Sequence, residues 1–178
     1  MKNRSAKSTA AILFLLIVAI TCAAQETCEL SSKTAPLFLN LQIGMSPDQT
    51  RNVFGKDLKI KIKKNGERTF FQNFIKKSAP VSLRGVRALY LRFFDRRLYQ
   101  IEIFYEPRQD LRTLENITNA LSSQLNFSAS NWQIENNRAA INCGSISLVA
   151  DNILNPRIEL TEETVRARIE RLREKAEK

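Results

Sequence analysis

Histidine is absent from all 178 residues. Ser-His-Asp and Cys-His machinery are therefore excluded, and so is the commonest metal ligand. Glycine is scarce, with five residues, no phosphate-cradling run and no Gly-x-Ser-x-Gly turn. The three cysteines include no close-spaced pair, so zinc is not expected. No cofactor is expected from any motif. Acidic side chains are outnumbered, 18 against 28 Lys and Arg, a net charge of +10. Carboxylate pairs exist, yet Glu102 and Glu106 would lie about 13 Å apart along one strand face, too far for a glycosidase pair. Glu162 and Glu163 suit the first turn of a helix. The chain is read as non-enzymatic.

A long apolar run is missing too. Ala11 to Ile20 is a short one, below the about 20 residues that span a bilayer. Lys2, Arg4 and Lys7 precede it and Thr21-Cys22-Ala23-Ala24 follows, the layout of a secretory signal peptide over residues 1–24. Cleavage after Ala24 would leave 154 residues starting at Gln25, with a charge of about +7. Cys22 raises the alternative of a membrane-anchored lipoprotein, but Ala19-Ile20-Thr21 before it matches a lipidation site poorly. The expected location is exported, periplasmic or secreted. In that oxidising setting Cys28 and Cys143 are expected to form a disulfide, worth about 4 kcal/mol in the chain-entropy model.

The order of elements predicts an α+β domain over 25–160, short helices on antiparallel sheet, with possible halves 39–106 and 110–160, and a charged helix over 161–178. Ser46, Pro47 and Gln49 mark a capped helix over 46–55, with Val53 and Phe54 on its apolar face. Strands follow at 57–63 and 68–74 around Asn65-Gly66. Val86–Phe94 and Leu98–Tyr105 read as a hairpin turning at Asp95-Arg96. A two-residue loop there pairs Tyr90 with Ile101 and Ala88 with Ile103. Val86, Ala88, Tyr90, Tyr99, Ile101, Ile103 and Tyr105 then share the core face. Asp110 is the expected cap of a helix over 111–125, with Leu111, Leu114, Ile117, Ala120, Leu121 and Leu125 as its apolar stripe. Short strands near 132–135, 139–143, 145–150 and 157–160 follow. Thr161 or Thr164 is expected to cap the last helix, where Val165, Ile169 and Leu172 form a narrow stripe.

The segment Leu41-Gln-Ile-Gly-Met-Ser-Pro-Asp-Gln-Thr-Arg-Asn-Val-Phe-Gly55, with the later Phe93-Phe94-Asp95-Arg96-Arg97-Leu98, resembles the small outer-membrane-assembly lipoproteins (the SmpA/OmlA type) and the β-lactamase inhibitory protein-like fold. The match covers about residues 41–105. It implies a helix layer on an antiparallel sheet, and binding rather than catalysis. The poor lipidation site departs from the lipoproteins, and a tandem arrangement would account for the second half.

Charge is concentrated. Residues 56–97 hold 13 Lys and Arg against three acids. In Asp57-Leu-Lys-Ile-Lys-Ile-Lys-Lys64, lysines alternate with apolar residues, as on a strand with one wet face. Lys59, Lys61, Lys63 and Lys64, with Arg84 and Arg87, are the candidate partner-binding residues; Arg92, Arg96 and Arg97 were close enough in sequence to join them. Such a stripe suits an acidic protein or an anionic envelope surface, or only solvates an edge strand. Phe70 and Phe71 beside it suggest a nucleic-acid platform, but export and the opposite facing of adjacent residues argue against nucleic acid. The expected function is an exported binding or assembly module of the bacterial cell envelope. The alternative is an inhibitor of an extracellular enzyme, or a small secreted enzyme.

Overall fold

A computed structural model describes residues 28–54, 61–62, 66–74, 83–126 and 128–177. Helix α1 (Pro47–Phe54) precedes strands β1 (Lys61–Ile62), β2 (Arg68–Asn73), β3 (Val86–Phe94) and β4 (Arg97–Tyr105). Helix α2 (Leu114–Leu125) precedes β5 (Gln133–Glu135), β6 (Arg138–Cys143), β7 (Ile146–Asp151) and β8 (Arg157–Glu162), and helix α3 (Glu163–Ala176) follows. The strands make one antiparallel sheet in the order β1-β2-β3-β4-β8-β7-β6-β5. Strands β1 to β4 follow α1 and strands β5 to β8 follow α2, and β4 pairs with β8 at the middle of the sheet. The expected α+β class with antiparallel sheet is what the chain adopts.

The capping box forms at α1: Ser46 Oγ accepts from Gln49 N, and Gln49 Oε1 accepts from Ser46 N. At α2 the expectation fails. Gln109–Leu111 is a 3-10 turn, and the helix begins after Thr113, whose side chain accepts from Asn116 N. Asp110 instead pairs with Arg108. The start of α3 also differs. Strand β8 runs two residues past Leu160, Thr161 is buried within it, and Glu162 precedes the helix without a side-chain cap. Strand pairing with Gln100 and Ser147 outweighs the local preference of threonine for a cap.

The β3–β4 turn has two residues, Asp95 and Arg96, both at positive φ (47° and 62°), the conformation that matches strand twist in tight hairpins. Beside it the register shifts between Arg92 and Phe93, leaving Tyr99 as an extra residue. Tyr90 therefore pairs with Glu102 and Ala88 with Phe104, not with Ile101 and Ile103. A slip of one residue exchanges the faces. The expected core set is split: Val86, Ile101, Ile103 and Tyr105 pack in the main core, whereas Ala88, Tyr90 and Tyr99 lie outside that cluster.

The main core lies on one face of the sheet, built from Leu89, Leu91, Phe93, Leu98, Ile101 and Ile103 with Ile141, Leu148, Ile158 and Leu160. Ile117 and Leu121 of α2 close it, while Ala120 is exposed. Each such side chain contributes roughly 1.5–3 kcal/mol by leaving water. Trp132 is buried beside α2, its Nε1 donating to Ser122 Oγ at 2.9 Å.

The N-terminal lead is more than a linker. Ala35, Phe38, Leu41 and Ile43 are buried in the core. Cys28 is disulfide-bonded to Cys143 across 115 positions, with Cα atoms 4.8 Å apart. Next to the bond, Leu30 N donates to Cys143 O and Leu30 O accepts from Ser145 N. Gly144 (φ +61°) permits this: a Cβ there would stand 2.6 Å from Leu30 O.

Candidate functional site

The second face of the sheet is read from its cross-strand rows. One row carries Thr69, Arg92, Gln100, Thr161, Ser147 and Asn142. The next carries Phe71, Tyr90, Glu102, Glu159, Val149 and Ala140. A third carries Ala88, Phe104, Arg157, Asp151 and Arg138. Helix α3 lies over part of this face, seating Ile169 against Phe94 and Tyr99, with Val165 beside them. Leu172, at the end of the expected stripe, is exposed.

A charged cluster occupies the centre. Glu102 and Glu159 face each other across β4 and β8, a repulsive pairing by itself. Arg157 resolves it. Its guanidinium reaches Asp151 at 2.6 Å, Glu102 at 2.7 Å and Glu159 at 3.3 Å. Burial works against the arginine's charge, but hydrogen bonds and attraction from Asp151 and Glu102 outweigh it and raise its pKa above the usual value. Gln100 Nε2 and Thr161 Oγ1 both donate to Glu159 Oε1. The result is an array of fixed charges held by mutual hydrogen bonds.

Between this cluster and α3 lies a cleft of about 280 Å³, lined by Arg92, Gln100, Glu102, Glu159, Arg166, Glu170 and Arg173 among others. At its edge Glu67 is fully buried. Its carboxylate accepts from Tyr99 Oη at 2.5 Å and from Arg173 Nη2 at 2.6 Å. Burial first, and then the hydrogen bond to Glu67, raise the Tyr99 pKa well above its usual value. Burial alone pushes Tyr105 up to about 12. Among the described residues no cluster of three His, Cys, Asp or Glu side chains is arranged for a metal, and no helix is long and apolar enough to cross a membrane.

Beside the cluster the sheet carries an aromatic strip. Phe71 and Tyr90 stack with centroids 4.2 Å apart, and Phe104 meets Tyr90 edge-on at 6.0 Å. Phe71 is 48% exposed. Arg92, half-buried in the adjacent row, makes no ion pair with any described residue.

Of the candidate basic residues, Lys61 (by its backbone), Arg84 and Arg87 fall among the described residues. Lys59, Lys63 and Lys64 lie outside the described residues, as do the signal segment and Cys22. The backbone of Lys61 pairs with Thr69, which pairs with Arg92 toward the β3–β4 turn. Arg96 and Arg97 are exposed at that turn, where Arg168 bonds to Asp95 and covers Phe94. Arg84 and Arg87 sit at the opposite end of β3. Arg87 and Arg92 are separated by about 17 Å of strand, at about 3.3 Å per residue. Arg87 donates to Asn155 Oδ1 at 2.7 Å, in the β7–β8 loop. Cys28 and Cys143 are paired as expected.

Sequence reasoning missed Arg157, Glu67 and Arg173, whose partners are distant in the chain. It also missed the loop Asn152-Ile153-Leu154-Asn155. An apolar pair bounded by Asn and Pro156 was the available signal. Comparison of the chain with family models, curated proteins and solved structures returned no match.

Proposed function

We propose that this chain is an exported, non-catalytic binding or assembly module of a bacterial cell envelope, and that it meets an acidic protein partner on the open face of its sheet. The observation that carries this reading is the strip of Phe71, Tyr90 and Phe104 with Arg92 beside it, which has no ion-pair partner among the described residues. Aromatic side chains and arginine are the types that dominate protein interfaces, since both bury large area with a polar handle. The basic segment 57–64, of which Lys61 and Ile62 pair with β2, favours an acidic partner and salt-sensitive association. The resemblance of residues 41–105 to envelope lipoproteins and to an inhibitory protein-like fold supports the same class.

The test is a photo-cross-linker placed at position 71 of the full chain, expressed in a bacterial host. A salt-sensitive cross-link to one acidic envelope protein is expected, lost in the charge-reversed K59E/K61E/K63E variant and absent when the linker is moved to Ser123 on the opposite side of the sheet. A cross-link that survives charge reversal and high salt unchanged would sink the acidic-partner reading. Intact mass of the exported protein tests the other half. A terminus at Gln25 is expected, and retention of the first 24 residues on a cytoplasmic product would overturn export.

A further inference from the structure

The loop between β7 and β8 exposes two large aliphatic side chains side by side. Ile153 is 70% exposed and Leu154 is 89% exposed. Apolar surface left in water in this way is unfavourable. The loop is firmly built all the same. Asn152 Nδ2 donates to Arg112 O, Asn155 Oδ1 accepts from Arg87, and Pro156 O accepts from Tyr105 N. Pro156 itself is buried. The base is held while the tip faces solvent.

The same contacts gather arginines around the tip. Arg87 donates to the loop through its guanidinium, and Arg112 accepts from it through its backbone carbonyl. Arg108 lies against Gly85, whose carbonyl accepts from Glu106 N, and Arg84 precedes that glycine. Arg84, Arg108 and Arg112 are exposed. Glu106, Asp110 and Glu115 are acidic side chains near this end, and Asp110 is paired with Arg108. The arginines of the rim outnumber these acids, and Asp151, at the foot of the loop, shares Arg157 with Glu102 and Glu159.

We infer that this end of the molecule seats on an anionic phospholipid bilayer, with Ile153 and Leu154 entering the interfacial region and the arginines resting on the headgroups. A two-residue tip is too small and too convex to hold a folded partner, whereas a bilayer interface accepts it without a complementary pocket. The arrangement follows the general pattern of peripheral membrane contact: an apolar element that inserts and cations that hold it to anionic lipid. The loop extends beyond the row that carries Phe104 and Arg157, so the tip and the exposed Phe71 are tested with separate variants.

The experiment uses the full mature chain with vesicles of phosphatidylglycerol mixed into phosphatidylcholine, against vesicles of phosphatidylcholine alone. In an L154W variant the new indole reports on the tip, because Trp132 is buried and hydrogen-bonded. The expected result is a blue-shifted emission, quenched by lipids brominated on the acyl chain, with the anionic vesicles and reversed by salt. Partitioning of an I153D/L154D variant should fall about tenfold or more, from the loss of two buried aliphatic groups, with an unchanged circular dichroism spectrum. An R84E/R112E variant should weaken binding and remove its salt dependence. Emission that stays solvent-like and unquenched with anionic vesicles overturns the inference, as does equal binding to both vesicle types. An F71S/Y90S variant separates the two surfaces. Its vesicle binding should be unchanged, and its losing that binding while I153D/L154D retains it would also overturn the inference.

Discussion

Replacing Arg157 by Met tests whether the charged cluster holds the two halves of the sheet together. The guanidinium lies within 3.3 Å of three carboxylates, whose side chains are only 10–15% exposed. Methionine keeps much of the stem but removes the cation. Asp151, Glu102 and Glu159 would then face one another with little water. Removing one partner from a buried ion pair costs about 3–5 kcal/mol, because the remaining charge is uncompensated. With a urea dependence near 2 kcal/mol per molar, the unfolding midpoint should fall by about 2 M at neutral pH. The variant also acquires a pH signature. Its crowded carboxylates favour the protonated form when folded, so the folded state binds more protons than the unfolded chain. Stability relative to the parent therefore recovers as pH falls through the carboxylate range. Urea titrations by circular dichroism at pH 7 and pH 4 measure both effects. A midpoint change under about 0.5 M at pH 7, or a gap that does not narrow at pH 4, would refute the account.

Three further outcomes are expected. A C28S/C143S variant should lose about 4 kcal/mol through release of a loop of 115 residues, lowering Tm by roughly 8–16 °C; reductant should do the same to the parent, and a drop under about 5 °C would assign the clamp to the Leu30 hydrogen bonds. Gly144→Ala should cost roughly 2–4 kcal/mol, since the new Cβ meets Leu30 O and the left-handed backbone is strained; thermal melts and faster exchange of the Ser145 amide would register it. Tyr99 and Tyr105 should stay protonated at pH 11 while folded, visible as missing phenolate absorbance. Their folded pKa values are raised, so their contribution is complete below pH 10 and declines above it, by up to about 1.4 kcal/mol per pH unit for each group until its folded pKa is passed.

What was legible in the chain was what local chemistry decides. Ser46, Pro47 and Gln49 specified the first helix because a capping box involves only neighbours. Asp95-Arg96 marked a turn and produced one. The register beside that turn was not legible, because the bulge at Tyr99 follows from seating its ring against Ile169, seventy positions away, and its hydroxyl on Glu67. The caps at Asp110, Thr161 and Thr164 failed for the same kind of reason: pairing partners and Thr113 competed with them and won. The basic candidates were identified by composition, but composition cannot say that Arg84 and Arg87 end up far from Arg92.

By itself, then, the sequence determined the fold class, the pairing of its two later cysteines and the excess of cations, since each follows from pattern, parity or count. Tertiary structure alone decided which face of each strand is wet, which carboxylates Arg157 binds and which apolar pair is left in water. Those depend on register and on contacts between residues far apart in the chain, and a shift of a single residue reverses them.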